Sequence, residues 1–352
     1  MKKITGLGLM SGTSLDGLDM ALCSFRQEDN KWMFEILSAT TVNYPEWLNK
    51  QLREAHSYSG LLLTKLDRDY GRWIGDKTSQ FINDCEFQPS FIASHGHTVF
   101  HQPGNRITLQ IGSGAEIAAA TEITTITDFR SVDIALEGQG APLVPAGDQM
   151  LFGDYDFCLN LGGIANISYV DNNKRVAYDV CHANMALNYI AGKMNMKMDR
   201  NGAEGRNGSV NDQLLKELNK LKYYHTPPPK SLGREWFEEE FLQILNNRPI
   251  SLNDKLRTVY EHIASMIASA CSSFSKGKLL VTGGGAHNSF LVERLKHHSK
   301  HDIIIPGKDI VDFKEALIFA FLGILRLENK VNVLASVTGS KKDNTGGCIY
   351  QS

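Results

Sequence analysis

The chain has 352 residues, enough to bury a large core, and that length suggests two domains. Apolar residues make up 42% and charged residues 22%, with a formal net charge of −2 and no block of like charges, which gives little support to nucleic acid or an acidic membrane surface as a partner. No uninterrupted apolar stretch of about 18 residues occurs, so no transmembrane helix is expected, and "MKKITGLGLMSG" is too short and broken for a signal peptide. Six scattered cysteines without a C-x-x-C pair fit reduced thiols in a cytoplasmic protein.

Residues 4–24 read as strand, turn, strand: "ITGLGLM", a small polar tip with Gly12, Thr13, Ser14 and the hairpin dipeptide Asp16-Gly17, then "LDMALCS". Apolar residues at helical spacing follow over 45–82. "SHGHTVFH" then places His95, His97 and His101 on one parity of an extended segment, so a metal site is weighed there against a loop at a cleft edge. "FCLNLGGIANISYV" (157–170) repeats the strand–tip–strand pattern around Gly162, Gly163 and Asn166. "VNDQLLKELNKL" and "LRTVYEHIASMIASACSSF" are helical, and "YYHTPPPKSLGREWF" (223–237) is the most loop-like segment. In "KLLVTGGGAHNSFLVERL" (278–295) a buried-looking strand runs into Gly283, Gly284 and Gly285 and then a helix. "KEALIFAFLGILRL" (314–327), apolar nearly all round, is expected to be a core helix. Strands alternating with helices argue for an α/β architecture, and the repeated unit for a duplicated fold with a cleft between its halves.

Glycine at a strand end lets successive backbone N–H groups converge on an anion. Neither G-x-x-x-x-G-K-[ST] nor a helix-opening G-x-G-x-x-G is present, so a P-loop and a dinucleotide fold are unsupported. Two tips could clamp nucleotide phosphates while the third lies under base or sugar. That layout resembles the actin-like ATPase and sugar-kinase superfamily.

The ordered segments "GLMSGTSLDGLD", "SHGHTVFHQP", "TDFRSVDIALEGQGAPLVP", "NLGGIANIS", "PPPKSLGREWF", "VTGGGAHN", "KEALIFAFLG" and "NVLASVTGS" resemble, over nearly the whole chain, the anhydro-N-acetylmuramic acid kinases. The resemblance implies a duplicated actin-like ATPase (ribonuclease H-like) α/β fold, with domains at 1–130 plus 338–352 and at 131–337. It implies transfer of phosphate from ATP, with Mg²⁺, to O6 of 1,6-anhydro-N-acetylmuramic acid while water opens the anhydro ring, in cell-wall recycling. It also implies a homodimer. Gly12, Thr13, Ser14, Leu15, Asp16, Gly17, Leu18 and Asp19 resemble the nucleotide-phosphate loop, with Asp16 or Asp19 orienting a hydrated Mg²⁺. Gly162, Gly163 and Asn166 would form the opposing phosphate hairpin, and Gly283, Gly284 and Gly285 the adenosine motif. Asp179 in "YDVCHANMALN" matches the catalytic aspartate that activates water, its other reading being a helix N-cap. Asn184, His95, Gly96, His97 and Asp128 would face the sugar. Arg130 would hold the lactyl carboxylate bidentately or form an interdomain salt bridge. Glu315 is either a sugar contact or an acid favoured at a helix start.

The chain departs from the family pattern at four places. Val180, Cys181, His182 and Ala183 replace a Thr-Gly-Pro run, Asn201 an acid, Glu137 a glycine, and His97 a glutamine. The first departure admits a kinase for another sugar. The fold class alone also admits a nucleotide-driven binding protein.

Overall fold

The computed structural model describes residues 3–12, 15–29 and 31–351. Two compact units form, one from Met1–Gly153 with Phe313–Ser352 and the other from Asp154–Asp312.

In the first unit, β1 (Ile4–Ser11) pairs antiparallel with β2 (Leu18–Glu28), which pairs antiparallel with β3 (Lys31–Val42). β4 (Ile92–Ser94) lies parallel to β1. β5 (His97–Gln102) and β6 (Ile107–Ile111) make a separate two-stranded ribbon, and β7 (Thr125–Thr127) lies parallel to β4. In the second unit, β8 (Phe157–Leu161), β9 (Ile164–Asp171) and β10 (Lys174–His182) form an antiparallel meander. β11 (Lys278–Thr282) then runs parallel to β8, and β12 (Asp302–Ile304) parallel to β11. The sheet orders are β13-β7-β4-β1-β2-β3, with β13 being Cys348–Tyr350, and β10-β9-β8-β11-β12. Leaving β13 aside, each order is the same: a three-stranded meander whose first strand carries two parallel strands on its other side. The expected α/β class and its duplication are both present.

The alternation in "GLGL" explains the first sheet. Period-two geometry sends Leu7 and Leu9, fully buried, to one face, where they join Tyr70 and Ile74 of the helix Gly60–Asn83. Gly6 and Gly8 face the other way. A Cβ on Gly8 would lie 1.8 Å from the Ala316 carbonyl oxygen, so the apolar helix packs on bare backbone there. Leu317, Ile318, Phe319, Ala320, Phe321 and Leu322 of that helix are buried, as its all-round apolar sequence predicts.

That helix begins earlier than expected, at Lys308 rather than Lys314, and runs to Leu327. The expected helical stretch over 45–82 is two helices, Glu46–Glu54 and Gly60–Asn83, the second capped by the Ser59 hydroxyl. The unit boundaries fall at 153/154 and 312/313, not at 130/131 and 337/338. The reason is packing: the helix Val144–Leu151 and the residues after it belong to the first unit, where Phe152 packs on Phe34 and Gly147 abuts Ile318. Among the described residues, no helix is long and apolar enough to cross a membrane.

Candidate active site

The first unit builds its site at the end of β1. Ser11 closes that strand and accepts a hydrogen bond from the buried Tyr44 hydroxyl at 2.7 Å. Gly12 follows, its carbonyl accepting from the Leu15 N–H at 3.3 Å, and Leu15 sits at φ +57° with its own carbonyl held by Asn49. Thr13 and Ser14 lie outside the described residues. Asp16 remains in the loop. Gly17 packs so near the Val42 carbonyl that a Cβ would come within 2.8 Å, and Leu18 opens β2. Asp19 is therefore on a strand, not in the loop, and accepts from the Thr41 hydroxyl at 2.6 Å.

Around Asp19 the first unit gathers charge. Glu315 keeps a little accessible surface, yet enough protein surrounds its carboxyl that desolvation pushes its pKa up. The Asp19 and Asp148 charges add to the rise, while Lys314 and Arg130 oppose it. Glu315 lies in the second turn or later of the helix from Lys308, so the favourable start of a helix is not what keeps it there. Lys314 makes a buried ion pair with Asp148 at 2.9 Å, a pairing invisible to local patterns because 166 residues separate the partners.

Arg130 donates from Nε and Nη2 to Nε2 of His95, at 3.2 and 2.8 Å, and from Nη1 to the Gly140 carbonyl at 2.8 Å. An acceptor Nε2 requires the proton on Nδ1, which donates to the Gly96 carbonyl at 2.8 Å. Burial, then the Arg130 charge, lowers the His95 pKa to about 3, so the ring is neutral. The Nε–Nη2 edge of Arg130, one of the edges a bidentate carboxylate uses, thus faces His95, and Nη1 is engaged by the Gly140 carbonyl. Asp128, at φ +56°, uses Oδ1 to accept from the N–H and hydroxyl of Ser131, a local turn role. The three histidines do not converge. His97 is buried with Nδ1 unpartnered, His101 Nδ1 lies 3.2 Å from the Thr108 hydroxyl, and no group of three metal-ligating side chains occurs among the described residues. A cavity of about 420 Å³ in this unit brings His95, Gly96 and Asp128 together with Gln110, Ser131 and Asp67. Asp67, unforeseen in the sequence, accepts from the Gly112 N–H.

In the second unit the glycine tips meet. The Gly162 carbonyl accepts from the Asn184 N–H, and the Gly163 carbonyl from the N–H groups of Ala183 and Met185, so the β8–β9 hairpin caps the helix Asn184–Lys193. Neither position needs glycine to avoid a clash: an added Cβ would meet nothing closer than 3.4 Å at Gly162 or 3.9 Å at Gly163. Gly283, at φ +82°, is different, since a Cβ would lie 2.3 Å from Asn160 Oδ1. Gly284 faces open space, and Gly285 packs on Leu161, whose carbonyl accepts from Asn184 Nδ2.

Strand register lines up Asn160 of β8, Asn166 of β9 and Asp179 of β10 side by side, placing three polar side chains on one face of the sheet. Asn166 is thus a strand residue rather than part of the tip, and Asn160 is an addition the sequence reading missed. Asp179 precedes a bulge in β10 and is not a helix cap, because Ala183 occupies that position for the next helix. Its Oδ2 accepts from the Leu232 N–H at 2.9 Å. Burial raises its pKa and that hydrogen bond partly offsets the rise. The "DRNG" departure is accommodated: Asn201 and Gly202 both take positive φ, while Asp199 accepts from the N–H groups of Glu204 and Gly205 and from Tyr260. Glu137 sits at φ +67°, where glycine is unstrained, and pairs with Arg106 and Lys341.

Two ribonuclease H-like units in series, each with a glycine tip after its first strand, define a protein of the actin-like ATPase and sugar-kinase class. The family model for anhydro-N-acetylmuramic acid kinase matches residues 5–352, and the chain belongs to that family. The anhydro-N-acetylmuramic acid kinase of Aliivibrio fischeri is 35% identical over 98% of this chain and 98% of its own. That of Vibrio cholerae is 36% identical over 98% and 97%. Among solved structures, the activator of the 2-hydroxyisocaproyl-CoA dehydratase from Clostridium difficile with bound ADPNP aligns at a TM-score of 0.45. It is 16% identical and covers 90% of this chain and 92% of that one.

Proposed function

We propose that this chain phosphorylates O6 of 1,6-anhydro-N-acetylmuramic acid with ATP while water opens the anhydro ring, giving N-acetylmuramic acid 6-phosphate and ADP. Family membership over residues 5–352 supports a kinase of this kind over one for another sugar or a binding protein without catalysis. The structural observation that carries the reading is Asp179: a largely buried carboxylate held by one backbone N–H, in register with Asn166 and Asn160 beside the glycine tips.

In this reading a water oxygen attacks the anomeric carbon and becomes its hydroxyl, and Asp179 takes the water proton. The bond from the anomeric carbon to O6 breaks, and its electron pair lets O6 attack the γ-phosphorus, with ADP leaving. Gly162 and Gly163 admit the phosphates to open backbone, and Gly283, Gly284 and Gly285 admit the adenosine. The oxygen donors of Asp19, with Asp16 in the preceding loop, suit a hydrated Mg²⁺, which when bound neutralises phosphate charge. On the sugar side, His95, Gly96 and Asp128 offer polar atoms in one cavity, with Arg130 fixing the His95 tautomer and Glu315 nearby. His97, Asn184 and Leu18 serve as supports. The cytoplasm, where ATP is available, is the proposed compartment, and the proposed assembly is a homodimer.

The test is a product assay by mass spectrometry with ATP, Mg²⁺, the anhydro-sugar and water enriched in heavy oxygen. A sugar phosphate carrying one heavy oxygen is the expected product. Unchanged sugar, with or without ADP, overturns the proposal.

A further inference from the structure

The proline-rich segment 223–237, left without a role in the sequence, is tied to the candidate base at three points. β10 is the edge strand of its sheet, and its bulge at Asp179 leaves polar backbone groups that a neighbour must satisfy. The segment supplies the partners. Tyr223 Oη donates to the Asp179 carbonyl at 2.6 Å, the Asp179 N–H donates to the Lys230 carbonyl at 3.4 Å, and the Leu232 N–H donates to Asp179 Oδ2 at 2.9 Å. Lys230 closes the segment on itself, its Nζ donating to the Tyr223 carbonyl and lying 4.6 Å from that ring's centre. So both the backbone and the carboxylate of Asp179 take their position from this one piece of chain.

What docks the segment is the residue that departs from the family pattern. His182 is fully buried. Its ring stacks on Trp236 with centroids 5.5 Å apart and planes 10° from parallel, and it also packs against Phe237 at 4.9 Å. Its Nε2 donates to the Gly233 carbonyl at 3.3 Å, which leaves Nδ1 unprotonated and unpartnered. Trp236 in turn packs on Tyr223 and Tyr224, linking the stack to the hydroxyl that holds Asp179. A flat ring in van der Waals contact does here what a rigid Thr-Gly-Pro backbone would do by restricting the chain.

We propose that residues 223–237 are a strap that positions Asp179, and that His182, by stacking on Trp236, is the positioning residue that docks it. The proposal rests on Asp179 being the base. His182→Ala should lower kcat roughly tenfold and leave KM for ATP within about twofold, whereas His182→Phe, which keeps the stack, should recover most of the loss. Combining His182→Ala with Trp236→Ala should lower kcat by less than the product of the single effects. Amide hydrogen exchange of the full chain reads the strap without reference to activity. Leu232 should exchange at least about tenfold faster in His182→Ala and at nearly the wild-type rate in His182→Phe. If His182→Ala does not fold, Trp236→Leu gives the same readouts. Unaltered Leu232 exchange in the undocked variant, or equal losses for Ala and Phe, would overturn the strap. A wild-type protein that makes no sugar phosphate would overturn the kinase reading instead, and the exchange data would still decide the strap.

Discussion

The two units share a strand order and differ in what they set at the end of their first strand. In the first, the connection from β1 to β2 is six residues long and charge gathers around it: Asp19, Glu315, Arg130, and the buried Lys314–Asp148 pair. In the second, Gly162 and Gly163 alone join β8 to β9, and beside them stand neutral amides with a single carboxylate, Asp179. Duplication preserved the scaffold while the side chains diverged, so one unit sets a cluster of charges at that point and the other sets open backbone beside one carboxylate.

Removing the single carboxylate should produce the largest effect. Asp179→Asn should lower product formation by about 10³-fold or more while ATP affinity, measured by calorimetry, barely changes. Near-wild-type turnover would remove Asp179 from the mechanism. As the proposed base Asp179 must be ionised, and its pKa is raised, chiefly by burial, so kcat should fall on acidification at a pH above that of an ordinary aspartate, about 3.9. The sign for stability is opposite to that for activity. A carboxyl whose pKa is raised on folding favours the folded state when protonated, and that contribution is lost as pH rises through the folded-state value. At neutral pH the charge therefore destabilises, and Asp179→Asn, whose amide oxygen still accepts from Leu232, should melt slightly above wild type.

Glycines sharpen the comparison next. Gly8→Ala drives a methyl group into the Ala316 backbone and should destabilise by about 3 kcal/mol, read as a fall in Tm. Gly163→Ala meets open space, so its stability should change by no more than about 0.5 kcal/mol, with the effect appearing in KM for ATP. Equal falls in Tm would mean that both glycines are structural. The smallest effect is expected at Glu137. Glu137→Gly relieves a positive φ and loses two exposed ion pairs that salt screens, so Tm should rise slightly, and more so at high salt.

Both hairpins, the glycine tips and the apolar helix were legible because each is written in local alternation or composition: "GLGL" on β1, "LGGI" between β8 and β9, "LIFAFLGIL" in the core. The first turn of that helix was not, since "KDIVD" carries only Ile310 and Val311 as apolar residues, too few to show a helical period, although Val311 is buried in the core. Nor were the contacts that span the chain. Arg130 meets His95 across 35 residues, Lys314 meets Asp148 across far more, and the alignment of Asn160, Asn166 and Asp179 depends on a strand register that a one-residue slip would abolish. The departure at Val180–Ala183 was visible as a difference, but its compensation lay in Trp236, more than fifty residues away.

The hairpin that caps the helix Asn184–Lys193 also fixes a polarity. A trans peptide holds its C=O and N–H antiparallel, so when the Gly162 carbonyl is turned to the Asn184 N–H, the Gly163 N–H of the same plane must point the opposite way. The helix thus acts as an aiming device for a donor it never touches. The direction is set during folding rather than during binding, and a group arriving there finds a dipole already turned towards it.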